Sequence, residues 1–218
     1  MAGGKLSPRQ KMINMMYLVL TALLAMNVSK EILNSFALLN NGLVKTNQNF
    51  AAKNEVTYSN FETAELNDPN KVRPYHDKAK AVKKRSQEMF DYIETLKTEV
   101  IFAVEEKAET EIEGQNGQDT TVSIASNILH MEGKDNSIVP TNYFMGGKDK
   151  AEPGNKAFEF KDKVNKFKDD LKAFIPEKER KNIKLGLETN DVWSEHEGLM
   201  IPWESNNFYN NPAVAVIA

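Results

Sequence analysis

Residues 12–29, MINMMYLVLTALLAMNVS, run for eighteen positions without a charge, and nothing else in the 218 residues approaches that. At about 1.5 Å of rise per residue the run makes a helix about 27 Å long, close to the roughly 30 Å hydrocarbon core of a bilayer. One membrane crossing is therefore expected. Upstream, SPRQ supplies the helix start: Ser7 suits an N-cap, Pro8 the first helical position, and Gln10 a capping box closed onto Ser7. A helix over residues 8–29 reaches about 33 Å, enough to span with modest tilt. Lys5, Arg9 and Lys11 precede the apolar run, whereas the next stretch offers only Lys30 and Lys45. That asymmetry keeps residues 1–7 in the cytoplasm and sends residues 30–218 across the membrane.

A cleaved secretory signal has the same basic-then-apolar order. Three features favour an uncleaved anchor: the run exceeds a usual signal core, no small-x-small site follows it, and helical patterning continues through KEILNSFALLNNGLVK. The roughly 190 residues beyond it suffice for a real core. A net charge of −3 and a pI near 5.8 leave no electrostatic footprint for nucleic acid. With no cysteine, disulfides and thiolate metal sites are excluded.

The spacing predicts three long helices. Ile32, Phe36, Leu39 and Leu43 recur at steps of four, three and four, with Leu33 and Val44 widening the stripe, and no proline interrupts residues 8–50. Such a stripe serves either packing on the chain's own domain or a coiled coil. A second helix, following RPYHDK, aligns Val82, Met89, Ile93, Leu96, Val100 and Ala103, with Ser86 filling the missing step. A third, KAFEFKDKVNKFKDDLKAF, repeats Phe160, Val164, Phe167, Leu171 and Phe174 and ends before Pro176. Between the last two lies a long insertion with turn signals at Asn116-Gly117 and Gly146-Gly147. Its apolar pieces, VSIASNIL and SIVPTNYFM, fit a short helix or a hairpin. In the tail, Trp193, Trp203, Phe208 and Tyr209 are expected as core or docking aromatics, with Asn211 as N-cap and Pro212 opening a helix over AVAVIA. Because the chain stops inside an apolar run, further protein is expected beyond it.

No catalytic signature is present: HExxH, GxSxG, a Walker lysine loop and GxGxxG are all missing. His76 in HDK and His196 in SEHEG lie near carboxylates but lack ligand spacing, and read as surface clusters; His130 stands apart. No enzyme, cofactor or metal is expected. Chemistry concentrates instead in the first helix. Gln10, Asn14, Tyr17 and Thr21 fall at steps of four, three and four on one face, with Ile13, Leu20, Leu24 and Val28 on others. In lipid such groups seek partners on another helix, Asn14 above all. Arg9, in the first turn, opposes the helix dipole by roughly 0.3 to 1 kcal/mol, so lipid phosphate or a neighbouring carboxylate should offset it.

The opening GGKLSPRQKMINMMYLVLTALLAMNVSKEILNSF resembles the N-terminus of the GldM/PorM family, and the later W…NFYNNPAVAVIA is similar to the segment entering that family's next periplasmic helix. The resemblance implies an inner-membrane motor component of type IX secretion and gliding motility, whose chains form a homodimer and whose transmembrane helices sit inside a ring of GldL-type subunits using the proton gradient. It also implies an α-helical first periplasmic domain, followed by β-rich domains that contact distal components. On this reading Arg9 pairs with an intramembrane carboxylate of the ring, and Gln10, Asn14, Tyr17 and Thr21 supply polar contacts. The expected fold is all-α: residues 1–7 cytoplasmic, 8–29 a single transmembrane helix, and 30–218 a periplasmic helical bundle. A passive membrane-anchored scaffold and a helical sensor ectodomain are the alternatives. The second would need an output domain, and only about eleven residues precede the span.

Overall fold

Helix α1 begins at Pro8 and runs unbroken to Asn67, 60 residues and about 90 Å. The computed structural model describes residues 7–107, 109–113, 119–125, 128–195 and 198–218, with the side chains of 24–29, 111–120 and 122 outside that description. Ser7 is the N-cap, its hydroxyl oxygen accepting the Gln10 amide at 3.3 Å, as the SPRQ pattern predicts. After Gly42 no glycine or proline occurs until Pro69, so the helix continues well past Phe50. Among the described residues no helix is long and apolar enough to cross a membrane. The last part of the predicted 8–29 span, including Leu24 and Val28, has its side chains outside those residues.

Asp68 joins α1 to α2 (Pro69–Glu105). Its amide donates to the Ala64 carbonyl at 3.0 Å, and its carboxylate accepts the Lys71 amide at 3.3 Å, capping both helices. The second helix thus starts at Pro69 and not after RPYHDK; Pro74 lies inside the helix, past the first turn, and withholds one i→i−4 donor there. The two helices run antiparallel, with Lys83 Nζ 2.6 Å from Glu55 Oε2 across them.

The remaining elements are the strands β1 (Glu109–Glu113) and β2 (Asp119–Ser123), a 3-10 turn at Ile128–His130, α3 (Ile138–Met145), α4 (Lys156–Phe174), the strands β3 (Val192–Ser194) and β4 (Leu199–Ile201), α5 (Trp203–Phe208) and α6 (Ala213–Ile217). Of these, the 3-10 turn and helices α3, α4 and α6 pack directly on the hairpin of α1 and α2. The expectation of an all-α chain is therefore corrected to a mostly helical one with two small antiparallel hairpins, registered Glu109↔Ser123 and Val192↔Ile201. Of VSIASNIL, Val122 and Ser123 end β2 and Ile128 and Leu129 lie in the 3-10 turn, with Ser126 and Asn127 outside the described residues, while SIVPTNYFM forms α3 and its cap. The Asn116-Gly117 turn signal falls outside the described residues. Helix α4 has the predicted bounds, and Ile175 turns extended (φ −86°, ψ 130°) because Pro176 disfavours a helical residue before it.

The core gathers Leu33 and Ala37 of α1, Leu96, Val100 and Ile101 of α2, and Phe144, Met145, Ala157, Phe208, Val214 and Ile217 from later elements. Ala103, placed on the α2 seam by spacing, is exposed, while Ile101 is buried. The tail aromatics divide. Phe208 stacks on Phe144 at 4.2 Å between centroids and meets Trp203 edge-on at 5.7 Å, whereas Trp193 and Tyr209 are exposed and not core residues. Pro212, not Asn211, caps α6; the Asn211 side chain instead donates to the Asn206 carbonyl at 2.9 Å. Main-chain bonds from Ala213 to Asn136 O and from Val214 to Lys134 O stitch the tail to the loop before α3. Buried Glu204 accepts from Lys161 Nζ at 2.9 Å and ties α5 to α4.

The α1 stripe is shifted in phase. Its core-facing line is Leu33, Ala37, Asn40 and Val44, while Ile32, Leu39, Leu43 and Phe50 are 47% to 58% exposed. Phe36 lies between the two lines, half-buried.

The loop after the 3-10 turn is pinned where the Glu105 carboxylate accepts the amides of Glu132 at 3.0 Å and Gly133 at 2.6 Å. A Cβ at Gly133 would come within 2.6 Å of Val104 Cγ1. Gly133→Ala should therefore lower stability by about 1–3 kcal/mol, read as a lower urea midpoint with unchanged slope.

Candidate partner-contact site

The first four turns of α1 stand clear of the rest of the chain, and every described residue from Ser7 to Leu23 is exposed. Gln10, Asn14, Tyr17 and Thr21 do share one flank, as their spacing predicts. Arg9 does not share it, since one residue is about 100° round the helix from Gln10. The five predicted site residues thus make two neighbouring faces rather than one. The Thr21 hydroxyl donates to the Tyr17 carbonyl at 2.7 Å and lies 3.0 Å from the Leu18 carbonyl. Its polar group is already satisfied by its own helix, whereas no such bond holds the side chains of Gln10, Asn14 or Tyr17 among the described residues. Three of the four flank residues therefore keep side-chain capacity for an outside partner. Met12, Met15, Met16, Leu18 and Leu20 expose a broad apolar surface around them.

A second cluster lies at the Asp68 end of the hairpin, and there the surface reading of HDK is overturned. His76 is 2% exposed, the one fully buried residue between positions 51 and 84 among the described residues. Its ring stacks on Phe61 of α1 at 5.7 Å, and its Nδ1 lies 2.5 Å from Glu65 Oε2, while Arg73 Nε donates to Glu65 Oε1 at 2.9 Å. Sequence reasoning missed it because the partners of His76 lie eleven and fifteen residues back, across the Asp68 turn. The signal available was the period: Val72, His76 and Ala79 continue the α2 seam toward its start. Among the described residues no group of His, Asp and Glu is arranged to hold a metal ion; His196 lies outside them.

The class of the chain is thus a long antiparallel helical hairpin carrying a small, mostly helical bundle, with one exposed apolar helix end. The family model of the GldM N-terminal domain matches residues 31–218, and the chain belongs to that family. Membership associates it with the membrane-associated gliding-motility and type IX secretion machinery. Comparison with the curated proteins finds no match.

The Arg73 bond first, and the His76 bond second, hold the Glu65 carboxyl below the usual carboxylate range. A carboxyl lowered on folding stabilises the tip above its unfolded pKa, and that stabilisation is lost as the pH falls through the folded value. Hydrogen exchange over residues 58–80 should accelerate across that acid range, and Glu65→Gln should flatten the dependence. His76→Ala, which removes a buried ring and its hydrogen bond, should cost about 1–3 kcal/mol in the same region.

Proposed function

We propose that this chain is the membrane and first periplasmic portion of an inner-membrane motor subunit that couples the proton gradient to periplasmic movement. The reading rests on one observation above others: α1 is continuous over 60 residues from the exposed apolar end to the bundle and beyond it. A helix with no kink-forming residue transmits a shift at one end to the other. In this reading residues 8–29 cross the inner membrane, 1–7 remain cytoplasmic and 30–218 lie in the periplasm. A ring of GldL-type subunits surrounds the crossing. Arg9 pairs with a carboxylate of that ring, and Gln10, Asn14 and Tyr17 make polar contacts nearby. Protonation of the carboxylate breaks the pair, and ring and inner helix shift relative to one another. No catalytic, cofactor or metal role is assigned to the chain.

The same reading makes the chain a homodimer. Ile32, Leu39, Leu43 and Phe50 recur at steps of seven, four and seven and face outward, which is the spacing of a coiled-coil seam. Distal secretion and motility components then receive the motion through further parts of the protein.

A passive scaffold is the second reading, favoured by Thr21, whose side chain needs no partner. Replacing residues 12–29 with an unrelated polyleucine span separates the two, because secretion and gliding survive this change in a scaffold and fail in a motor. Arg9→Ala should abolish both activities with assembly retained, and Arg9→Lys should leave only partial function because the planar fork is lost. Normal secretion and gliding in Arg9→Ala would remove the ion-pair role.

A further inference from the structure

Asn40 lies on the core-facing line of α1 and is 2% exposed, yet its Nδ2 finds no hydrogen-bond partner among the described residues. Buried amides in folded proteins are almost always paired, so an orphan donor at such a position asks what completes it. Asn40 lines an open cleft of about 650 Å³ between α1, α2 and α6. Phe144, Phe160 and Phe208 contribute to its apolar lining, and exposed Phe90 stands at its edge. That size and mixture, mostly apolar with a few convergent polar groups, is the pattern of a binding cleft.

The polar groups indicate the ligand. Asn47 also lines the cleft, seven residues beyond Asn40 and therefore about 10.5 Å farther along the same face of the helix. Three residues of extended chain cover about 10 Å. A primary amide carries one acceptor and two donors, matching both halves of a peptide group, so two asparagines at this interval suit main-chain amides three residues apart. An acyl tail offers no acceptor at that repeat. Glu94 and Lys97, both lining the cleft, pair with each other at 3.4 Å, so the lining carries no net charge and favours a ligand of none. We propose that this cleft binds an extended, uncharged apolar peptide segment of a partner protein, with its main chain paired to Asn40 and Asn47 and its side chains among the phenylalanines. This site is independent of the proton-driven reading and stands whether the subunit moves or only anchors.

The test places p-benzoylphenylalanine at position 90 of the full chain in its native membrane, with adducts formed by light and mapped by mass spectrometry. The expected adduct is an apolar segment of a different protein. Its yield should fall about fivefold with Asn40→Leu, and also with Asn47→Ala, an exposed position where the fold is undisturbed. The Asn40→Leu protein should melt no lower than the parent, because an unpaired amide has been removed from the interior. Adducts only with lipid, with a second copy of this chain or within the same chain, no adduct at all, or a yield unchanged by both substitutions would overturn the proposal.

Discussion

Asp68 serves two helices at once, and the rest of the molecule is laid out from that junction. Its main chain closes α1, its side chain opens α2, and the chain reverses within one residue. A tight reversal leaves little freedom in how the helices face each other, so Leu33 and Ala37 meet Leu96, Val100 and Ile101 far from the turn. Ion pairs such as Glu55 with Lys83 lie along the same hairpin, but exposed pairs contribute little, and apolar burial holds the register. The later elements have no framework apart from this pair. Short helices of eight, six and five residues are unstable alone, and α3, α5 and α6 persist because their buried faces complete the hairpin's core.

The fold was legible where a period was sustained. Helix α4 was readable to its last residue because apolar positions repeat over five turns and Pro176 stops it. The start of α1 was readable from Ser7 and Pro8. Its buried face was misread because α1 carries two apolar lines, and hydrophobicity alone favours the one with larger side chains. The structure buries the other, in which Ala37 and Asn40 allow close approach to α2. For Trp193 and Tyr209 exposure removes the core half of the expectation, since size predicts burial only when the local backbone faces the core. The two short hairpins carry too few residues for alternation to stand out.

The candidate contact site was legible as a set of residue types but less so as a surface. Spacing aligns Gln10, Asn14, Tyr17 and Thr21 and sets Arg9 about 100° away, yet it could not show that Thr21 turns its hydroxyl back onto its own helix. His76 and Asn40 were hidden for a different reason: each acquires its meaning from residues brought near by the Asp68 turn. The family match over residues 31–218 and the resemblance carried by the first 36 residues rest on almost separate stretches of chain.

The length of α1 has a geometric consequence. A rigid rod of about 90 Å pivoting at one end would turn a tilt of about 5° into a sideways displacement of about 8 Å at the other, more than one full turn of helix. Stiffness is what makes this gearing usable, and α2 braces the far half against bending.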